Sequence, residues 1–596
     1  MDKNNVTGLL LISLLLMAYF FFFNPEEQAP QQTEGQQAAE QVIDTPVEEK
    51  IRPEQAPLIT DDLPDSAIQE KFGFFATAVS GTSEEVKLEN DEMVVTFDTH
   101  GAKIKNVLLK NYVDYLKEPL ILISEESSTM SEVVKSNVGD IDLNDLYYGV
   151  EREGNSIAFT ITQGEQSFKR VFSLEKTGFV MDYTWETAGL DNVIQSEDVD
   201  YYWFYKMPKL EKAIDQSRTR STVNYLTADL NFDDLNVSSN DKETKKLELP
   251  AKWVSFKHKF FNSAIITDKT FEDVEVASVV PAEDQTVVKA SEMAFKMPIK
   301  SLKGDDGNIR YYFGPNDYDI CEGVAPSFER NVYLGWAFFA TINLYLVIPL
   351  FEFLEGLFSN YGIVILILVF IVKTLLFPLT YKSYFSMAKT KVLKPELDEI
   401  KAKHGDDMQK VQSEQMKLYQ QVGVNPISGC IPMLAQMPVF LALFNFFPNA
   451  IQLRQQSFLW AEDLSSFDSI YNFGFEIPFY GDHISLFTLL MAISQIGYTY
   501  YSNQMNAAAQ GPAKTIGYIT PLMFMFFFNN FASGLTYYYF VSNVITVGQQ
   551  LLIRRFVDDS KIRKILDENK KKNVNKKKSS FQQRLEDAMK QQNKKK

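Results

Sequence analysis

Only two cysteines occur in 596 residues, Cys321 and Cys430, and they sit in segments of different character. A disulfide framework, a four-thiolate zinc site and a CxxC redox pair are therefore all excluded. No GxSxG, HExxH or P-loop pattern is present, which removes the commonest hydrolase, zinc-protease and nucleotide-driven chemistries. Residues 483–557 contain no Asp or Glu at all, so the carboxylate relay of a proton-coupled transporter is missing from that apolar stretch. Cations are outnumbered, 59 Lys and Arg against 77 Asp and Glu for a net charge of −18, and DNA binding by the whole surface is excluded. Packing or lipid must hold this fold, and no metal or cofactor is expected.

What is present is strongly segregated. Residues 8–23, GLLLISLLLMAYFFFF, carry no charge and would make a helix about 24 Å long, marginal for a hydrocarbon core of ~30 Å. The run ends in four phenylalanines and Asn-Pro rather than in small residues, so residues 1–23 read as an uncleaved signal anchor rather than a cleaved signal peptide. Residues 24–83, rich in Gln, Glu, Pro and Ala, read as a disordered tether. From 84 to 328 the texture is period-two alternation rich in Val, Thr, Tyr and Phe, which predicts an all-β sandwich. Apolar stretches follow at 334–354, 361–380, 424–447, 484–501 and 516–553, the last broken by Asn529-Asn530-Phe531-Ala532-Ser533-Gly534 into two helices.

Cytoplasmic loops carry the excess of Lys and Arg. With the amino terminus inside and 334–354 not spanning, the eight lysines of 381–421 fall inside, the acidic loop 454–482 outside, and the basic tail inside. If 334–354 spanned, the lysine loop and the tail would both be expelled. The expected architecture is thus an α-helical polytopic membrane protein of six transmembrane helices, both ends cytoplasmic. Its large sandwich lies outside the membrane between the first and second spans. Residues 329–359 form an interfacial amphipathic helix, 360–557 a five-helix core, and 558–596 a basic cytoplasmic tail.

Within the core, NYGIVILILVFIVKTLLFPLTYKSYFSMAKTKVLKPELDEIKAKHGDDMQ, VNPISGCIPMLAQMPVFLALF, IQLRQQSFLWAEDLS and ASGLTYYYFVSNVITVGQQLLIRR resemble the Oxa/Alb/YidC family of membrane protein insertases, over essentially 360–555. More weakly, EMVVTFDTHGAKIKNVLL and YYFGPNDYD resemble the sandwich that precedes that core in bacteria with two membranes. The resemblance implies a protein of the bacterial inner membrane, its sandwich in the periplasm. It implies that newly made membrane proteins are moved from cytosol to bilayer, alone or beside the Sec translocon, through a hydrophilic groove open to cytoplasm and lipid.

Lys373 is the one ionisable side chain in 361–379, and a charge in mid-membrane costs ~2.5 to 3.5 kcal/mol even on the lenient insertion scale. Snorkelling to the interface is the plain alternative. The resemblance places this position in the groove, where the family typically has Arg. Lys keeps the charge without the planar fork, and Val369, one turn earlier where some relatives have a hydroxyl, implies a drier groove. Gln436, Gln495, Asn529, Asn530, Asn543, Thr546 and Gln549 are candidates for the groove wall, with interhelical hydrogen bonding as the alternative for each. The family's client-contacting stretches match Met437, Pro438 and Phe440, and the tyrosine pair Tyr538 and Tyr539; Met and aromatics give an adaptable apolar surface, or ordinary packing.

Residues 384–421 read as an amphipathic helical hairpin turning at His404-Gly405-Asp406-Asp407, with Leu393, Leu397 and Ile400 facing Met408, Val411 and Leu418. The family has a cytoplasmic cap here that meets targeting factors; a solvated loop is the alternative. From Lys561 onward fourteen cations face four acids, suited to ribosomal RNA or to anionic lipid, and Phe581, Leu585 and Met589 add an apolar stripe. Two other functions compete: a carbohydrate-active sandwich, in which only His100 and His258 could serve as histidine bases, and a secondary transporter with Lys373 as counter-ion.

Overall fold

Strict alternation folds the amino-terminal half into sheets. Ser156–Gln163 and Gln166–Leu174 bury every second residue, and Gly164, at φ 62°, supplies the left-handed backbone that their two-residue turn requires. The computed structural model describes residues 65–304, 307–405, 407–425, 431–478, 480–505 and 512–572. The expected amino-terminal span, residues 24–64 of the tether, Cys430 and the stripe Phe581, Leu585, Met589 lie outside them. The chain divides between Tyr333 and Leu334 into two compact units.

The first unit is the expected β-sandwich. Glu85–Glu89, Met93–Asp98, Lys103–Val113 and Pro119–Ser124 form a four-stranded antiparallel sheet in chain order. A fourteen-stranded sheet is centred on Asp198–Pro208, Val287–Pro298, Phe261–Val279 and Ile309–Pro315. Trp185, Trp203, Trp253, Tyr201, Tyr205 and Tyr311 fill its core. Arg170 and Glu132 are both buried and bonded at 2.7 Å, while Tyr183 donates to the same carboxylate at 2.6 Å and Trp185 to the Tyr183 hydroxyl at 2.7 Å. This network is a structural pin, because removing Arg170 or Glu132 would strand a buried charge.

The two histidines of this unit both lie against tyrosines. His100 stacks on Tyr147 at 4.3 Å. His258 is buried with its Nε2 at 3.0 Å from the Tyr205 hydroxyl, and burial pushes its pKa down to about 3. The folded state thus keeps this imidazole neutral while the unfolded chain protonates it near 6.5, so stability is lost as pH falls from 6.5 toward 3. Thermal unfolding of the full chain, followed by tryptophan fluorescence, is expected to shift steeply downward across that window, and His258→Gln to flatten the dependence. An unchanged slope in His258→Gln would disprove the assignment.

The tether is shorter than expected. Asp65–Phe72 is helical and Gly73–Ala78 forms 3-10 turns, with Phe72, Phe74, Phe75 and Ala78 buried and Phe75 set edge-on to Phe168 at 6.0 Å. These aromatics gain more from burial than the segment loses in chain entropy.

The second unit is helical: α1 (Tyr361–Val392), α2 (Lys394–His404), α3 (Met408–Val422), α4 (Ile431–Phe446), α5 (Leu486–Met505), α6 (Pro512–Phe528), α7 (Ser533–Phe556) and α8 (Asp559–Lys572). Asn360 caps α1 by accepting from the Ile363 amide at 3.1 Å. At its 32 residues α1 is about 48 Å long, more than a ~30 Å hydrocarbon core requires, and Lys382, Lys389 and Lys391 sit in its last third. A Cβ on Gly362 would lie 2.1 Å from the Phe458 ring, so only glycine lets that ring seat on α1. No breaker interrupts residues 381–392, so the hairpin expected to begin at 384 starts at Lys394 instead.

Ahead of α1, Ala337–Ile342, the π-helical Asn343–Val347 and Ile348–Glu355 form one continuous helix. Asn343 Nδ2 ties it to α4 through the Ala442 carbonyl at 2.8 Å. Among the described residues two helices are long and apolar enough to cross a membrane, Phe338–Glu355 and Tyr361–Val392. The first falls in the segment expected to lie amphipathically in the interface, and its composition alone permits a crossing. Leu434–Phe446 and Gly517–Phe528 are apolar but shorter. Polar residues dilute α5 and α7, among them Ser494 and Gln495 in the former and Ser542, Asn543, Thr546, Gln549 and Gln550 in the latter.

The basic tail carries an ordered beginning. It begins as a helix whose Ile562 and Leu566 are buried with Leu393, Leu397, Leu418, Val422 and Ile553 in one apolar cluster. Asp558 accepts from the Ser560 and Lys561 amides at 2.9 and 3.4 Å, starting the helix, and Asn569 donates to the Val422 carbonyl at 3.2 Å.

Candidate functional site

Thr546, one of the polar residues that dilute α7, meets Lys373. Its Nζ donates to Gln436 Oε1 on α4 at 2.8 Å and to Thr546 Oγ1 on α7 at 2.7 Å. Gln436 Nε2 donates onward to Ser542 Oγ at 3.0 Å, and Thr546 closes on the Ser542 carbonyl at 2.7 Å. Lys373 is 5% exposed, so its ammonium is held among three helices. Both acceptors are neutral, and among the described residues no ion pair joins this lysine to a carboxylate. The cation is solvated by side chains but its charge is uncompensated. An incoming carboxylate would therefore find attraction that no internal acid has spent.

Around this centre the predicted residues separate. Asn543 faces α5 and donates to Ser494 Oγ at 3.1 Å, while Gln549 Nε2 lies 3.5 Å from the Lys373 carbonyl with its own Oε1 buried and unpartnered among the described residues. Gln495 is half-buried, and Val369 is fully buried. Asn529 belongs elsewhere. It donates to the Tyr480 and His483 carbonyls at 2.9 and 2.8 Å and accepts from the Ser485 amide at 3.0 Å, locking the loop before α5; Asn530 is exposed at the same turn. Ser494 and Ser542 were not expected from sequence. Their small hydroxyls complete the network, and their only sequence signal is i, i+4 spacing of Ser542 with Thr546.

The apolar candidates divide into surface and core. Met437 is 39% exposed and Pro438 half-buried, whereas Phe440 is buried and packs edge-on to Tyr539 at 5.2 Å. Tyr538 is fully buried against Phe447, with a hydroxyl that lacks a partner among the described residues. Only Met437, Pro438 and part of Tyr539 are presented outward.

Two family models match the chain, 60Kd inner membrane protein over residues 353–561 and YidC periplasmic domain over residues 85–347. Among curated proteins, the membrane protein insertase YidC of Amoebophilus asiaticus is 43% identical, covering 99% of this chain and 98% of its own length. Its counterparts in Cytophaga hutchinsonii and Parabacteroides distasonis are 41% and 36% identical over the same shares. A solved galactose mutarotase-like protein from Lactobacillus casei is 9% identical and covers 39% of this chain and all of its own, at a TM-score of 0.26 too low to support a sugar chemistry.

Proposed function

Since the chain belongs to the YidC family of membrane protein insertases, an inner-membrane family, we propose that it inserts clients through the polar centre at Lys373. An insertase acts on nascent membrane proteins in the bilayer. The observation that supports this route is the buried Lys373 ammonium bonded, among the described residues, only to the neutral Gln436 and Thr546. A client's acidic or polar flank is drawn toward that charge while its apolar segment partitions into lipid beside Met437, Pro438 and Tyr539. About twenty apolar residues at roughly −0.3 to −0.6 kcal/mol each outweigh one or two charged ones at roughly +3 each, so the client supplies the driving force. No nucleotide and no catalytic residue is needed. The test is reconstitution in liposomes with a short single-span client, whose protection from protease should depend on the protein.

The topology proposed with this route has six spans, both termini and the α2–α3 hairpin in the cytoplasm, and the sandwich in the periplasm. Helix 337–355 lies along the outer interface, because a crossing there would expel the lysine loop and the tail. Single cysteines at Ser413, Glu186 and Glu476, all exposed, check this. Glu186 and Glu476 are expected to label from one side and Ser413 from the other; Glu186 and Ser413 labelling together would make 337–355 a span. The hairpin and the basic tail are the proposed meeting place for ribosome and targeting factors, and the Sec translocon the proposed neighbour.

A further inference from the structure

The loop between α4 and α5 contains a β-hairpin, Tyr471–Ile477 paired with Gly481–Ile484, that has too few strands to bury a face of its own. Its first strand, YNFGFEI, alternates aromatic or apolar residues at 471, 473, 475 and 477 with Asn472, Gly474 and Glu476. Tyr471 is 60% and Phe475 64% exposed. The row is continuous despite the irregular register at Gly474: ring centroids lie 5.6 Å apart for Tyr471 and Phe473, and 5.8 Å for Phe473 and Phe475. The opposite edge is polar, with Asn472 Nδ2 donating to Asp482 Oδ2 at 3.0 Å.

The row does not end at the hairpin. Phe473 meets Tyr480 at 6.3 Å, and Tyr480 meets Phe526 of α6 at 5.2 Å. Phe526 heads a stripe with Ile519, Leu522 and Met523 at helical spacing, all exposed. In a protein of the inner membrane, an outward apolar stripe on an apolar helix faces hydrocarbon. The aromatic row prolongs that stripe past the end of the helix, where the bilayer gives way to headgroups, the depth aromatic side chains favour.

We propose that the 471–484 hairpin is an interfacial anchor. Its aromatic row lies in the headgroup–acyl boundary of the leaflet next to it, and its Asn472–Glu476 edge faces water. This rests on membership of a membrane family and not on Lys373, so its failure would leave the proposed insertion route untouched.

The test uses the full chain in phospholipid liposomes without client. In a Cys321→Ala, Cys430→Ala background, a cysteine-linked environment-sensitive fluorophore is placed at Tyr471, Asn472, Phe475 or Glu476, with melting of each variant checked against the parent. Lipids spin-labelled high on the acyl chain should quench the 471 and 475 probes at least about twofold more than the 472 and 476 probes, and aqueous iodide should show the reverse order. Equal iodide quenching at all four positions would overturn the proposal. So would shielding of 471 and 475 from both quenchers, which would assign the face to a second copy of the chain or another protein.

Discussion

Lys373→Glu is expected to reduce insertion of clients with acidic translocated flanks by tenfold or more, equivalent to at least about 1.4 kcal/mol. The substitution replaces the uncompensated cation among α1, α4 and α7 by an anion that repels such flanks. Lys373→Ala should fall between parent and Glu. It removes the attraction and also takes a donor from the half-buried Gln436 Oε1 and Thr546 Oγ1. Lys373→Arg should retain activity, since the charge persists. Clients with neutral flanks should respond little in all three. The measurement is protease protection of matched acidic-tailed and neutral-tailed clients in proteoliposomes, normalised to the amount of folded variant. Equal insertion of the acidic-tailed client by folded Lys373→Glu and by the parent would reduce Lys373 to a structural residue.

The second large effect concerns α8. Truncation after residue 558 should loosen the α2–α3 hairpin, whereas truncation after 572 should leave it intact although most of the tail's positive charge is gone. A 14-residue helix as polar as α8 is marginal alone, so its order comes from docking. Ile562 and Leu566 are each buried in the cluster formed by Leu393, Leu397, Leu418 and Val422, and truncating such side chains to alanine costs ~2 to 5 kcal/mol each. The flanking pairs Arg563–Glu396 and Lys391–Asp559 are partly exposed and contribute ~1 kcal/mol or less. Limited proteolysis between residues 393 and 422 is expected to accelerate at least about tenfold in Ile562→Ala/Leu566→Ala and after truncation at 558, matching a loss of ~1.4 kcal/mol or more in the local opening equilibrium. Cleavage at the parental rate in the double variant would show that α8 does not hold the hairpin. Any test of the tail's part in ribosome or lipid binding must therefore cut beyond Lys572, or it reads a damaged hairpin.

The sandwich was legible in the sequence because alternation is a local property: a strand's buried face is written every second residue, as in SIAFTITQ and QSFKRVFSL. Lys373 was legible for the same reason, as one charge in an uncharged run. Its partners were legible only as two of seven polar candidates, since Gln436 lies 63 residues away and Thr546 173, and nothing local distinguishes them from Gln495 or Asn529. Only the packing of α1, α4 and α7 selected the first two, and the loop before α5 claimed Asn529 for its own carbonyls. The end of the tether was misplaced, and the docking of the tail's first turns went unread, where a few apolar residues sat in polar surroundings. Phe72, Phe74 and Phe75 ended a Gln- and Glu-rich tether, and Ile562, Ile565 and Leu566, at i, i+3 and i+4, stood within a lysine-rich tail. Composition averages such residues away. Burial does not, because the free energy of hiding an isoleucine or a phenylalanine depends on the surface that receives it, and that surface is assembled from distant parts of the chain.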